Sequence, residues 1–274
     1  MRFYRDLGLT EFYRRPVTDS SEGATGLDPE TGAGKAAMPV VHPDATSPAT
    51  QPNFFREELA IKSRKEFAAP PQAAGVVPVE QRAAALQMIR DDIGDCTRCA
   101  LHKGRHSIVF ADGSPAARLM FVGEGPGADE DAQGLPFVGR AGQLLNNMIA
   151  AMGLKREECY IANIVKCRPP GNRTPEPVEA NTCSPFLFRQ IDIVRPQVLV
   201  ALGATAATYL LGARQPLAGL RGRIHAFRGM SLIVTYHPAF LLRDPRQKKE
   251  AWADLQIAMK ELGLKAPKGR ELPK

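Results

Sequence analysis

Four short apolar runs recur along the latter part of this 274-residue chain, each followed by a helical pattern, and that alternation limits the fold more than any other feature. The runs lie at residues 118–124 (RLMFVGE), 159–166 (CYIANIVK), 198–203 (VLVALG) and 232–237 (LIVTYH). Their hydrophobicity is nearly continuous rather than alternating, as in strands covered on both faces. Helical periodicity follows at residues 141–152, 175–194, 204–211 and 245–262, and an amphipathic helix precedes the first strand at 80–92. Strands joined through helices run parallel, with right-handed crossovers. The expected fold is of the α/β class, a three-layer α/β/α sandwich around a central four-stranded parallel sheet.

The part before residue 79 reads differently. Residues 16–78 are rich in Pro, Ala, Gly, Ser and Thr, without a sustained period of 2 or 3.6. Such composition buries too little apolar surface to offset the entropy of ordering. The expected organisation is a disordered N-terminal extension over 1–78, a folded domain over 79–266 and a short basic tail over 267–274. Within the extension, residues 3–13 and 54–67 carry aromatic and charged side chains suited to a transient helix or to docking on an unidentified partner protein.

Charge follows the same division. Residues 1–85 hold 10 Lys/Arg against 11 Asp/Glu, a net of −1, whereas residues 86–274 hold 26 against 18, a net of +8. The whole positive excess therefore sits on the part that reads as folded, which suits a polyanion such as nucleic acid. No apolar run approaches the roughly 18 residues of a membrane span. The first residues, MRFYR, lack the apolar stretch of a secretory signal, so a cytoplasmic location is expected. In that reducing compartment five cysteines point to metal or cluster ligation before disulfides.

In open α/β sheets ligands bind beyond the carboxyl ends of the strands, and the unusual residues of this chain fall there. The first strand runs into a glycine-rich turn, Gly123-Glu124-Gly125-Pro126-Gly127, followed by Glu130 and Asp131. The second contains Asn163 and ends at Lys166-Cys167-Arg168-Pro169-Pro170, and the fourth ends at His237-Pro238. The turn lacks the dinucleotide spacing and the Lys-Ser/Thr of a P-loop. Glycines let a flat group approach the backbone, while the acids behind them repel phosphate. A neutral base, or a sugar that develops positive charge, fits better than a triphosphate.

The cysteines form a second constellation. Cys96 and Cys99 make a C-x2-C pair before the sheet, and Cys167 and Cys183 flank the loop after the second strand. Soft thiolates of this kind hold zinc or an iron–sulfur cluster. A zinc ribbon uses two close pairs, and the wide second pair favours the cluster. Cys159 opens a buried strand and reads as a small apolar core residue.

The ordered set of four cysteines, GEGPG with Glu130-Asp131, Gly134-Leu135-Pro136-Phe137-Val138-Gly139, Asn163 before CRPP, and His237-Pro238-Ala239 resembles family 4, iron–sulfur uracil-DNA glycosylase, over about residues 88–264. The resemblance implies an enzyme that excises uracil from DNA to start base excision repair. It further implies a 4Fe-4S cluster on Cys96, Cys99, Cys167 and Cys183, and uracil-containing DNA, single- or double-stranded, bound by a monomer. By the same resemblance Phe137 stacks on uracil, Asn163 pairs with its edge, and the backbone of Gly123, Glu124 and Gly125 lies against the base. His237 stabilises the departing anion, and Glu124, with Glu130 as runner-up, directs the water. The run after His237 is expected to be a loop entering the minor groove, with Leu241 as an apolar wedge and Arg243 on phosphate. Arg168 and Arg173 are further DNA contacts, as are Arg221 and Arg223. His102, His106 and His225, in basic loops, are additional phosphate candidates, and His42 lies in the extension.

Two other readings compete. A non-catalytic iron–sulfur DNA-binding protein needs the cysteines and basic surface but not Asn163 and His237 together at strand ends. A superfamily relative that crosslinks to uracil-DNA carries a basic insert with a histidine after the second strand, and the corresponding residues here, 168–175, contain no histidine.

Overall fold

A computed structural model describes residue 67, residues 70–72 and residues 75–265. The segments 3–13 and 54–66, most of the N-terminal extension, and the basic tail lie outside the described residues. Six strands form one sheet: β1 (Asp112–Gly113), β2 (Leu119–Gly123), β3 (Tyr160–Asn163), β4 (Val198–Leu202), β5 (Ile224–Phe227) and β6 (Met230–Thr235). Their order is β1-β3-β2-β4-β6-β5. The inner four pair in parallel, and the two edges pair antiparallel. The four expected strands are therefore the centre of a larger, mixed sheet.

Both added strands sit at edges and bury little. β1 has only two residues. β5 is largely exposed and forms a hairpin with β6 through Arg228 and Gly229, whose φ values of 50° and 76° both lie in the left-handed region. Two such residues in a row make the two-residue turn whose twist matches that of paired strands.

Eight helices cover the sheet among the described residues: α1 (Val79–Ile93), α2 (Ala128–Gln133), α3 (Arg140–Ala151), α4 (Pro177–Val194), α5 (Ala204–Leu211), α6 (Leu217–Leu220), α7 (Pro238–Arg243) and α8 (Lys248–Leu262). Alternate side chains of each inner strand enter two separate cores. Met120 and Val122 of β2 join Leu86 and Ile89 of α1, Leu187 and Ile191 of α4, and Ala206 and Tyr209 of α5. Leu119 and Phe121 face the opposite way, onto Leu145 and Met148 of α3, Leu241 of α7, and Leu255 and Met259 of α8. Strands apolar on both faces thus do what their composition requires, and the result is the three-layer sandwich.

Residues 238–243, expected as a loop, are helix α7. Pro238 occupies the first turn, where its missing N–H costs nothing, and His237 caps the end through its side chain.

Order begins before residue 79. Val77 is buried and its carbonyl accepts from Arg82 Nε at 3.3 Å, and the Phe67 ring meets Tyr209 edge-on with centroids 5.1 Å apart. A chain starting at residue 67 is expected to melt within about 2 °C of the parent. One starting at residue 79 should melt roughly 4–8 °C lower, the consequence of losing about 2 kcal/mol of apolar burial. Calorimetry on the two truncations checks both values.

Candidate active site

Parallel pairing puts the carboxyl ends of β2, β3, β4 and β6 on one edge, and the register sets Gly123 beside Asn163. A Cβ on Gly123 would lie 2.4 Å from Asn163 Oδ1 and 2.5 Å from Phe137 Cζ. The carboxamide and the ring edge therefore meet over a backbone that carries no side chain. Asn163 is 1% exposed, and its Oδ1 has no hydrogen-bond partner. A buried acceptor left unpaired is costly, and such atoms mark places where a ligand supplies the missing donor.

Phe137 is 5% exposed and has a φ of 53°, a strained value for a residue with a side chain. Its surroundings enforce that conformation. Arg156 donates from Nη1 to Phe137 O at 3.0 Å and from Nη2 to Pro136 O at 2.6 Å. The same guanidinium is fixed by Asp112 at 2.8 Å and Asn146 at 2.8 Å. Gly142 of α3 completes the seat, since a Cβ there would fall 1.9 Å from Phe137 O. Neither Arg156, in the polar run Arg156-Glu157-Glu158, nor Gly142 stands out in the sequence, because their role is to a backbone distant in the chain.

The Phe137 and His237 rings stand 5.6 Å apart between centroids, tilted by 33°. His237 Nδ1 accepts from Ala239 N at 3.1 Å, which leaves the imidazole proton on Nε2. Burial pushes the imidazole pKa down to about 4; the Arg243 charge acts in the same direction and Glu130 opposes it. His237 is consequently neutral at physiological pH, with one N–H to donate. Gly203, at φ 90°, lets the end of β4 come within 3.1 Å of the histidine Cβ, measured from where its own Cβ would be.

The two carboxylates near the turn have different duties. Glu130 accepts from the backbone N–H groups of Gly127 at 3.0 Å and of Val138 and Gly139 at 2.9 Å each. It ties the glycine-rich turn to the Phe137 loop, with both oxygens accepting from backbone N–H groups. Glu124 is half-buried at the end of β2 and takes one side-chain partner, Thr205 Oγ1, which donates to Oε2 at 2.5 Å. Thr205 follows the third strand in the sequence, but its contact with Glu124 was not legible there. Asp131, buried, accepts from the His106 and Ser107 backbone, at 2.9 Å from His106 N, and so belongs to the frame.

Several expected DNA contacts change place. Leu241 is 0% exposed and packs into the core beneath α7, so it cannot be a wedge; its neighbour Leu242 is 37% exposed. Arg173 forks onto buried Glu179 at 2.7 and 2.8 Å, holding the loop after β3 to α4, and is committed there rather than to phosphate. Arg221 is likewise engaged, with Asp254 at 2.7 Å and over the Tyr236 ring at 4.0 Å. Arg243 and Arg223 are exposed, and Arg168 contacts only Asn172, through Nε at 2.8 Å. His102 and His225 each bond a backbone carbonyl at 2.8 Å, and His106 meets Asp131 at 3.0 Å.

On the other side of β3, Cys96, Cys99, Cys167 and Cys183 all line one cavity of about 340 Å³ including its open mouth. Three of the sulfurs face N–H donors: Cys96 from Arg98 at 3.3 Å, Cys167 from Arg105 at 3.5 Å, and Cys183 from Lys166 N at 3.3 Å. Burial pushes the Cys183 thiol up to about 12 and raises Cys99 and Cys167 as well. Among the described residues, no group of three or more His, Cys, Asp or Glu side chains is arranged to hold a single metal ion. Cys159 is fully buried in the core. Lys166, also buried, donates from Nζ to Asn163 O at 3.0 Å and Gln190 Oε1 at 2.6 Å, and so stands between the thiols and the end of β3 that carries Asn163.

Residues 110–256 match the uracil DNA glycosylase superfamily. The chain is 45% identical over 165 residues to the type-4 uracil-DNA glycosylase of Thermotoga maritima, covering 60% of this chain and 86% of that protein. It is 38% identical over 191 residues to the type-4 enzyme of Archaeoglobus fulgidus, 67% of this chain and 96% of that one. It is 42% identical over 180 residues to that of Pyrobaculum aerophilum, 63% and 92% respectively. No helix among the described residues is long and apolar enough to cross a membrane. The family match and these identities place this chain in the uracil DNA glycosylase superfamily, among the type-4 uracil-DNA glycosylases.

Proposed function

We propose that this protein hydrolyses the N-glycosidic bond of uracil in DNA, the first step of base excision repair, and that the base is held at the strand ends beside Asn163, Phe137 and His237. The unpaired Oδ1 of buried Asn163 carries this reading. A base is attacked only once it has left the duplex stack. Inside the pocket, uracil N3–H supplies the donor that Oδ1 lacks, and the Asn163 amide donates to O4. Cytosine sets an acceptor, its N3, against Oδ1 and leaves a buried oxygen unpaired, a mismatch that binding sites punish heavily. The Phe137 ring, held by Arg156 and Gly142, offers the stacking face.

Cleavage of the bond between C1′ and N1 leaves both electrons on uracil. His237 Nε2–H donates to O2 as that charge builds, which lowers the barrier without binding the ground state more tightly. Water adds to C1′, oriented by Glu124, and its proton passes through the carboxylate to solvent or to the departing base. The products are uracil and an abasic deoxyribose. On α7, Leu242 takes the place expected for Leu241 as the group entering the minor groove, and Arg243 beside it contacts phosphate, with Arg168 approaching from the loop after β3.

The four thiols supply the ligand set of a 4Fe-4S cluster. They share one cavity, and three of them meet N–H donors. Protonated as free thiols, they become ligands when a metal's charge displaces the proton. When bound, the cluster supplies a covalent tie between the segment before the sheet and the loop and helix after β3.

Release of free uracil from a uracil-containing oligonucleotide, with none from the cytosine counterpart, is the direct test. His237→Ala should slow single-turnover excision by roughly a hundredfold or more while leaving DNA affinity nearly unchanged; equal losses in both measurements would remove the histidine from this role. Because the folded imidazole titrates near 4, the rate should show no inflection at the ordinary histidine value near 6.5. The depressed value also makes folding pH-dependent: the stability contribution is complete above about 6.5 and is lost as pH falls from there towards 4. Leu242→Ala should lower excision from duplex by roughly tenfold relative to single strands, since only the duplex needs its stack filled. Purified protein should carry about four irons with a broad visible absorbance, and Cys96→Ser should lose that absorbance together with folded yield.

A further inference from the structure

We infer that Thr205 positions Glu124 for its part in the reaction, making this threonine a determinant of the catalytic rate that touches neither base nor sugar. The inference rests on the proposed role of Glu124. Of the acids around the glycine-rich turn, Glu130 and Asp131 are spent on backbone N–H groups. Among the described residues Glu124 has a single side-chain partner, the Thr205 hydroxyl at 2.5 Å, and that contact falls on Oε2. Its backbone is pinned separately, by Val165 N donating to Glu124 O at 3.2 Å.

The topology explains how a residue 81 positions away reaches this carboxylate. β2 and β4 are parallel neighbours in register Val122 with Ala201, so their exits lie side by side. Gly203, at φ 90°, turns the chain directly into α5, and Thr205 is the second residue of that helix. Its hydroxyl is thereby fixed by a helix packed on the sheet, not by a loop. A glutamate has three side-chain torsions, and freezing them in one arrangement costs entropy unless a partner holds the group. A hydroxyl donating to an ionised oxygen is a short, strong contact. With Oε2 held, Oε1 is left to orient the water, and placement of a reacting group to within a fraction of an ångström is worth orders of magnitude in rate.

Three variants separate this role from a structural one. Thr205→Val keeps the shape and removes the donor, and single-turnover excision from a uracil oligonucleotide should fall about tenfold with DNA affinity unchanged within twofold. Thr205→Ser restores the donor and should return to within about threefold of the parent. Thr205→Val added to Glu124→Gln should slow the reaction no further, because the two act as one unit. Thr205→Ala gives the same reading if valine lowers the melting midpoint. A parental rate in the valine and alanine variants, a serine variant as slow as valine, or losses that multiply with Glu124→Gln would each overturn the inference. Glu124→Gln at the parental rate would instead remove Glu124 from the reaction and the reading beneath this one.

Discussion

The space above residue 123 has no room for a single carbon. Gly123 closes β2 in register with Asn163, and both the Asn163 carboxamide and the Phe137 ring edge occupy the volume a side chain would need. Most of the pocket follows from that constraint. The carboxamide reaches the sheet edge because nothing at 123 covers it, and the ring edge comes up to the strand end on a backbone with positive φ. That conformation has to be held, since φ of 53° is unfavourable for phenylalanine. Arg156 and Gly142 hold it from opposite sides, one by donating to the carbonyls of residues 136 and 137, the other by leaving space for Phe137 O.

How legible this was depended on how local the cause was. The four inner strands and five longer helices announce themselves because burial on both faces, or on one stripe, is written into consecutive residues. β5 was hidden because an exposed edge strand has no apolar face to declare, and only Arg228-Gly229 hinted at a hairpin. Helix α7 was read as a loop because six residues are too few to show a period, although Pro238 after a capping His237 is a recognisable start. Asn163, His237 and Glu124 stood out because they lie at strand ends in an unusual chemical context, and Phe137 because of the Gly134-Leu135-Pro136-Phe137-Val138-Gly139 motif that carries it. Arg156 did not, and Thr205, though it follows the third strand, gave no sign of its contact, since each acts on a partner far away in the chain. Leu241 and Leu242 show the limit most simply: adjacent leucines are alike in the sequence, and only the phase of α7 decides that the first is buried and the second exposed.

The arrangement also distributes charge in a consistent way. A cationic imidazole beside the departing base would attract the anion but would demand burial of a proton the site disfavours. The histidine is instead neutral, because it is enclosed and because its Nδ1 is already used to cap α7. Capping therefore does two things at once: it starts the helix and fixes the tautomer, so that Nε2 is the donor. A single helix, α7, thus links the proposed leaving-group donor to the exposed pair Leu242 and Arg243. DNA that engages the outer face of α7 bears on the same rigid element that aims the imidazole.

Lys166 suggests why the thiol cavity lies where it does. A buried ammonium with no carboxylate partner is expensive, and here burial lowers its pKa to about 8. Its donors go to Asn163 O and Gln190, while its own N–H meets Cys183. Four metal-bound thiolates beside it would bring the negative charge that this lysine otherwise lacks. The same side chain then connects the cysteine cavity to the backbone that presents Asn163. Strand end, lysine and cysteines form one continuous set of contacts, which in the proposed chemistry would tie the cysteine ligands to the backbone that presents Asn163.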